Sequence, residues 1–488
     1  MNTVESALLA TVPDGLFIGG EWIPAEGEAT FEVRDPATGM VLARVADASP
    51  ADGVRALDAA VASATSWAAV PARQRGELLR KAFDALMERR EEFALLISLE
   101  MGKPLAEARA EVTYGGEFLR WFSEEAVRIS GRYGPNPEGT GTAIVSHRPV
   151  GPSYLITPWN FPLAMATRKI APALAAGCSA VIKPAELTPL TTLAFAALLE
   201  RVGVPAGVVN VVTTARPREM SEPIIADGRL RKLSFTGSTA VGRTLLQQAS
   251  TGVLRTSMEL GGNAPFLVFA DADLDAAADG AMAAKFRNMG QACTAANRFL
   301  VHESVATAFL DRVVHRVSAL RAGRGTDAGV TLGPLIDDAA VRSAHTLVID
   351  AVSRGATVLT GGAPLDGPGT FFAPTVLAGV QAGSRMLDTE IFGPVLGVST
   401  FRTEAEAIQR SNATEYGLVG YAYTRDSSRI GRLVDSLHTG MLGINTGIVS
   451  NAAAPFGGVK QSGLGREGGL EGIQEYLETK YTLVAASP

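Results

Sequence analysis

Of the two cysteines in this 488-residue chain, one is placed to react. Cys178 lies in the run Ala-Ala-Gly-Cys-Ser-Ala and reads as small apolar packing. Cys293 closes the segment Phe286-Arg287-Asn288-Met289-Gly290-Gln291-Ala292-Cys293, among glycine and polar residues, with the guanidinium of Arg287 six positions back. The thiolate is the nucleophilic form of cysteine, and cationic surroundings favour it. Cys293 is therefore the candidate nucleophile.

A second group of residues has the chemistry to hold a dinucleotide. After the apolar run Lys232–Phe235 comes Thr236-Gly237-Ser238-Thr239-Ala240-Val241-Gly242, opening a helical pattern. Glycine lets the backbone approach an anion, Ser or Thr caps the helix, and the free N–H groups and dipole there favour phosphate. The spacing is not GxGxxG, and an ordinary strand–turn–helix junction has a similar composition. The run Ala180–Ile182 ends in Lys183-Pro184-Ala185-Glu186. An amine and a carboxylate there can both reach a ribose, although a solvated loop end would also carry them. Glu186 can bind a ribose 2′-hydroxyl but repels a 2′-phosphate, by roughly 1–4 kcal/mol at ~4 Å in wet surroundings. NAD is favoured over NADP on that ground, and Lys183 leaves dual use open.

These groups must be held by an alternating α/β framework. From residue 153 short apolar runs alternate with helical patterns: Tyr154–Ile156, a helix near 163–176, Ala180–Ile182, a helix near 189–202, Val208–Val212, a helix near 218–227, and Leu233–Phe235. This series predicts a doubly wound parallel sheet with ligands beyond the carboxyl ends of its strands. A second α/β pattern follows Gly261-Gly262, with strands at Arg298–Val301, Gly393–Thr400 and Val419–Tyr423 and helices over 303–320, 337–353 and 403–411. Upstream, 16–46 reads as a small antiparallel unit, and 50–66, 71–100 and 104–130 as helices. Residues 132–148 read as an exposed hairpin and Ile473–Val484 as a terminal strand.

Composition narrows the class. Hydrophobic residues make up 47% and charged residues 19% of the chain, as in soluble globular proteins, and the net charge of −6 argues against a nucleic-acid or anionic-membrane partner. No apolar run reaches the ~20 residues of a membrane span. The closest, Leu163–Ile182, is broken by Arg168, Lys169, Pro172 and Gly177. The first 16 residues lack a basic region and carry Glu5 and Asp14, so a secretory signal is not expected and the location expected is the cytoplasm. No Cys/His cluster has zinc-ligand spacing, so no metal is expected. The five histidines occupy no catalytic setting, which weighs against a Cys–His hydrolase.

Seven spaced motifs together resemble the aldehyde dehydrogenase superfamily over nearly the whole chain. They are Pro158-Trp159-Asn160-Phe161-Pro162, Lys183-Pro184-Ala185-Glu186, Phe235-Thr236-Gly237-Ser238, Glu259-Leu260-Gly261-Gly262-Asn263, Gly290-Gln291-Ala292-Cys293, Glu390-Ile391-Phe392-Gly393-Pro394 and Pro455-Phe456-Gly457-Gly458. Ala166-Thr167-Arg168-Lys169, Lys285-Phe286-Arg287-Asn288 and Asn445-Thr446-Gly447-Ile448-Val449-Ser450 are most similar to its succinate-semialdehyde dehydrogenase branch. The resemblance implies a Rossmann-type dinucleotide-binding domain (1–130 and 149–259) and a catalytic domain (260–445). It also implies an oligomerisation β-arm (131–148 and 470–488) and a returning segment along the substrate site (446–469). A homodimer or homotetramer follows, with the hairpin and terminal strand pairing between subunits.

The implied reaction is NAD(P)-dependent oxidation of succinate semialdehyde to succinate through a thiohemiacetal and a thioester on Cys293. Asn160 and the Cys293 N–H would stabilise the oxyanion, and Glu259 would activate the hydrolytic water. A carboxylate near a thiol raises the thiol pKa, so Glu259 serves by accepting protons. Trp159, Lys183, Glu186, Gly237, Ser238, Leu260, Glu390 and Phe392 would bind the dinucleotide. Arg168, Arg287 and Ser450 would hold the distal carboxylate, which a guanidinium fork matches. The competing reading of either arginine is a structural ion pair. Alternatives are glutarate semialdehyde or other aliphatic or aromatic aldehydes, an acyl-transferase, and a non-catalytic protein. The position two after the nucleophile is Ala295, so no redox-switch disulfide is expected there.

Overall fold

The computed structural model describes residues 1–486; Ser487 and Pro488, the end of the expected arm, lie outside the described residues. The first sheet has the strand order Gly463–Leu464, Arg255–Glu259, Lys232–Thr236, Ser153–Ile156, Ala180–Lys183, Val209–Val211, Leu16–Ile18, Glu21–Ile23. The five strands between Arg255 and Val211 in that order are parallel. They are buried on both faces, apart from the start of Arg255–Glu259, which explains their continuous apolar runs. In chain order those five read 5-4-1-2-3, so the winding reverses between Ser153–Ile156 and Lys232–Thr236. A crevice opens beyond the carboxyl ends at such a reversal. Thr157–Asn160 and Gly237–Ser238 leave the sheet there.

The helix Pro162–Ala176 follows the first of these loops. Proline starts it and Gly177, at φ +96°, ends it. All of its side chains are buried, which is why the sequence is almost membrane-like there. It packs on the helix Leu105–Glu125, where a Cβ on Gly115 would meet Ala164 Cα at 3.2 Å. No helix among the described residues is long and apolar enough to cross a membrane.

The second sheet runs Thr357–Thr360, Thr375–Ala378, Val395–Phe401, Ala296–His302, Ala264–Val268, Val419–Tyr423, Met441–Ile444, parallel except for its first pair. The chain passes from Glu259, at the carboxyl end of a first-sheet strand, to Ala264, at the amino end of a second-sheet strand. Ala264 pairs with Ala296, just after Cys293. Glu259 and Cys293 thus meet at the seam between the two sheets.

Several elements differ from expectation. Residues 71–100 form two helices, Ala72–Glu88 and Arg90–Met101, because Arg89 leaves helical geometry at φ −102°, ψ 20°. The apolar period continues across the break and hides it. The antiparallel unit at 16–46 divides: Leu16–Ile18 joins the large sheet through Val211, while Thr30–Arg34 and Val41–Ala46 form a separate pair. The expected terminal strand begins later, at Leu477, after a short helix Glu471–Gln474. The hairpin Arg132–Pro135/Gly141–Pro149 is present, but the idea that it meets the terminal strand only between subunits is corrected. Leu477–Ala485 pairs antiparallel with Gly141–Pro149 within one chain, from Leu477↔Pro149 to Ala485↔Gly141. The strands 132–135 and 477–485 are then the outer edges of a three-stranded sheet.

Candidate active site

Cys293 ends a loop bent through three consecutive left-handed residues, Asn288 (φ +54°), Met289 (+55°) and Gly290 (+72°). Such geometry costs an L-residue roughly 1–2 kcal/mol each, so surrounding bonds must hold it. Glu107 accepts the Asn288 N–H at 2.7 Å. The Asn288 Nδ2 donates to the carbonyls of Gln291 (2.8 Å) and Asn160 (3.1 Å). At Gly290 a Cβ would collide with Gly393 O at 2.2 Å, so only glycine fits. The Asn160 Nδ2 donates to the carbonyl of Gln291 at 3.0 Å, two residues before the half-buried Cys293.

Asn160 is fixed from below. Its carbonyl also accepts Lys103 Nζ at 2.8 Å, and Lys103 in turn pairs with Glu111 at 2.5 Å, both fully buried. Glu111 additionally accepts the N–H groups of Leu163 (3.0 Å) and Ala164 (3.2 Å) at the start of the buried helix, where negative charge is favoured.

Glu259 is 3% exposed and neither carboxylate oxygen has a hydrogen-bond partner. Burial and the neighbouring Glu467 push its carboxyl well above the usual range, against Arg168 and Lys169, which pull it down. Glu467 lies 2.6 Å from both Arg168 Nε and Lys169 Nζ. Burial would raise Glu467 too, but these two cations hold it below the ordinary value. Two cations therefore share one carboxylate. Burial pushes the Cys293 thiol up to about 12, helped by Glu390 and Glu259 and opposed by Arg168 and Arg287.

The residues expected to hold a carboxylate diverge. Arg168 is buried, its charge is matched by Glu467, and its guanidinium lies 4.1 Å over the Phe456 ring. Arg168 is thus engaged in an ion pair with Glu467, within fifteen consecutive buried residues. Arg287 is half-buried, 5.7 Å over the Phe161 ring, and has no ion-pair or side-chain hydrogen-bond partner among the described residues. Ser450 lines a cleft of about 480 Å³ with Tyr114, Trp121 and Asn451, and that lining includes neither Cys293 nor Arg287.

The residues present also fit a dinucleotide. Glu390 is a half-buried carboxylate bonded only to the Gly262 N–H at 3.3 Å, and desolvation pushes it up to about 7. A Cβ on Gly261 would come within 2.9 Å of Glu390 Oε2, so the backbone closes against it. An under-bonded carboxylate of this kind suits vicinal hydroxyls. Phe392, at φ +49°, stands edge-on to Trp159 at 5.5 Å. Lys183 is buried, with its amine 3.7 Å from the half-exposed Glu186. Ser238 caps the helix Thr239–Thr251 next to Gly237, and a helix N-terminus of this kind suits an anion. Leu260 is buried beneath Gly242, whose Cβ would strike it at 2.4 Å.

The model of the aldehyde dehydrogenase family matches residues 22–482. The chain belongs to the aldehyde dehydrogenase family. It is 60% identical over 445 residues to a succinate-semialdehyde dehydrogenase of Paenarthrobacter nicotinovorans, covering 91% of this chain and 99% of that one. A glutarate-semialdehyde dehydrogenase of Pseudomonas aeruginosa is 47% identical over 465 residues, 95% of this chain and 96% of that one. A crystal structure described as an NADP-dependent enzyme of Escherichia coli superposes with a TM-score of 0.96 at 45% identity, covering 99% of each chain.

Several residues that shape this aldehyde dehydrogenase site escaped the sequence reading: Lys103, Glu107, Glu111, Asn288 and Glu467. A signal existed for three of them. Lys103 sits between a helix-ending Gly102 and Pro104, and Glu107 and Glu111 follow at intervals of four, on one helix face.

Proposed function

We propose that this aldehyde dehydrogenase oxidises succinate semialdehyde to succinate, with NAD preferred over NADP. The observation that carries the substrate assignment is Arg287, an unpaired guanidinium close enough to depress the Cys293 thiol pKa. An unpaired, partly desolvated arginine suits a carboxylate. Ser450 would add a hydroxyl to the same carboxylate. Arg168, though paired with Glu467, opposes the rise of the Cys293 thiol pKa.

The residues divide the work as follows. Cys293 attacks the aldehyde carbon, and its proton passes to Glu259. Raising the Glu259 carboxyl narrows the gap in proton affinity to the thiol, which eases that transfer. The Asn160 amide and the Cys293 N–H receive the oxyanion. When bound, the dinucleotide supplies the hydride acceptor. Glu390 would hold a ribose, Phe392 and Trp159 would flank the nicotinamide, and Lys183 and Glu186 would meet the adenine-side ribose. Once Glu259 has released that proton to solvent, it takes another from water as that water hydrolyses the thioester and the Cys293 thiolate leaves.

Glutarate semialdehyde is the second reading. One relative carries that name, and a free arginine does not by itself measure chain length. Steady-state kcat/KM for succinate semialdehyde, glutarate semialdehyde and propanal, each with NAD and NADP, tests both assignments. The four-carbon acid with NAD should lead. Propanal turned over as efficiently as the acids would remove the carboxylate site.

The arm belongs to the same reading. Its edge strands expose Tyr133 (80%), Tyr481 (60%) and Val484 (51%), a stripe suited to a second copy in a homodimer or homotetramer. Light scattering on the whole protein counts the copies. Two unpaired cysteines suit a reducing compartment, in keeping with the cytoplasm.

A further inference from the structure

Asn297 is absent from every role described so far, yet its side chain is fully engaged around Glu390. It is 3% exposed, at the start of the strand Ala296–His302. Its Nδ2 donates to Thr389 O at 2.8 Å and to Asn263 Oδ1 at 2.7 Å, with Met386 O at 3.3 Å. Its Oδ1 accepts the Ile391 N–H at 3.1 Å. One amide thus grips the backbone on both sides of residue 390. Asn263 completes the grip, with its Nδ2 donating to Leu387 O at 2.8 Å.

The segment needs such a grip. No strand ladder spans the residues between the short helix Arg385–Asp388 and the strand Val395–Phe401. Phe392 adopts φ +49°, which an aromatic residue keeps only when its surroundings impose it. Asparagine suits the position because one group must donate to carbonyls and accept from an N–H. Aspartate would face acceptor oxygens with a charge, and serine would not span both peptides.

We propose that Asn297 is a positioning residue that holds Glu390 and Phe392 in the conformation the nicotinamide half of the dinucleotide requires. The inference rests on the reading of Glu390 as a ribose ligand. It makes Asn297 matter to dinucleotide affinity while leaving the thiol and the aldehyde end alone.

The test uses full-length Asn297→Ala and Asn297→Ser, with Glu390→Gln beside them. Three quantities are measured: NAD dissociation constant without aldehyde, peptide-level hydrogen exchange over 387–393 in the free protein, and acylation of Cys293 by a nitrophenyl ester without dinucleotide. Both Asn297 variants should weaken NAD roughly 5–30-fold, as expected for losing one or two buried hydrogen bonds. Exchange over 387–393 should quicken, and ester acylation should stay at the parent rate. NAD affinity within twofold of the parent overturns the inference, as does a parallel loss of ester acylation. Failure of both variants to fold would assign Asn297 to the core instead and also overturns it. If Glu390→Gln binds NAD normally, the ribose reading of Glu390 falls. If Glu390→Gln weakens NAD and the Asn297 variants do not, the positioning role alone falls.

Discussion

Replacing Lys103 with methionine separates the stability of the site from its catalytic geometry. Lys103 Nζ bonds both Glu111, at 2.5 Å, and the Asn160 carbonyl, at 2.8 Å. Methionine retains much of the volume over the Phe161 ring but leaves Glu111 buried without its cation. Breaking a buried pair from one side costs about 3–5 kcal/mol. At roughly 2 °C per kcal/mol for a cooperative unit of about 250 residues, the melting midpoint should fall about 6–10 °C. The Asn160 peptide also loses one of its two side-chain donors, so its amide drifts from the oxyanion position. Losing such a donor outright costs about 10²–10³ in kcat, which sets the ceiling. The double variant Lys103→Met/Glu111→Gln removes the stranded charge, while the new amide oxygen still accepts from the N–H groups of Leu163 and Ala164. It should recover most of the midpoint and little of the rate. Calorimetry and single-turnover oxidation read the two quantities. A double variant that regains the rate together with the midpoint would refute the link from Lys103 to Asn160, as would a single variant with parental kcat.

Other outcomes follow from neighbouring groups. Glu259→Gln should slow steady turnover about 10²–10⁴-fold, with both thiol attack and thioester hydrolysis losing their proton acceptor; steady turnover at the parent rate would contradict the base assignment. Arg287→Ala should raise KM for succinate semialdehyde about 10–150-fold, the loss of a charge-assisted bond, and leave propanal unaffected; equal effects on both would remove Arg287 from the carboxylate site. Glu186→Ser should raise the NADP/NAD ratio of kcat/KM at least about fivefold by removing like charge; an unchanged ratio places the discrimination elsewhere. Burial pushes Glu100 up to about 8 from 4.5, while it accepts the N–H groups of Leu190 and Thr191. Its folded value exceeds the unfolded one, so its contribution is complete below about pH 4.5 and is lost as pH rises through 8. Glu100→Gln should flatten the fall of the melting midpoint across that window, and an unaltered slope would show that Glu100 titrates normally.

Local signals were legible where chemistry and chain coincide. The glycine-flanked Cys293, the Gly237-Ser238 helix start and the alternating strands from 153 all depend on near neighbours. The 5-4-1-2-3 winding then carries those signals to one crevice. What stayed hidden depends on distant partners. Arg168 looks equally ready for a ligand or an ion pair until Glu467 arrives from another part of the fold. Glu111 is an ordinary helical carboxylate until the start of the Pro162–Ala176 helix is laid against it. The break at Arg89 escapes notice because both helices bury the same apolar stripe.

The separation of Lys169 from Glu467, 298 residues along the chain, has a consequence during synthesis. The Pro162–Ala176 helix carries two cations into the interior, and their shared counter-charge leaves the ribosome 298 residues after Lys169. At about 5–20 residues per second, that interval is roughly 15–60 s. Until then the helix has no neutral place to bury, and the nascent first sheet must wait half-open or be held by a chaperone. A chain truncated before Glu467 would retain Cys293 but could not close the interior around it. Synthesis of the segment that carries Glu467 is thus coupled to the assembly of the reactive centre, so that chains stopping before it are inert.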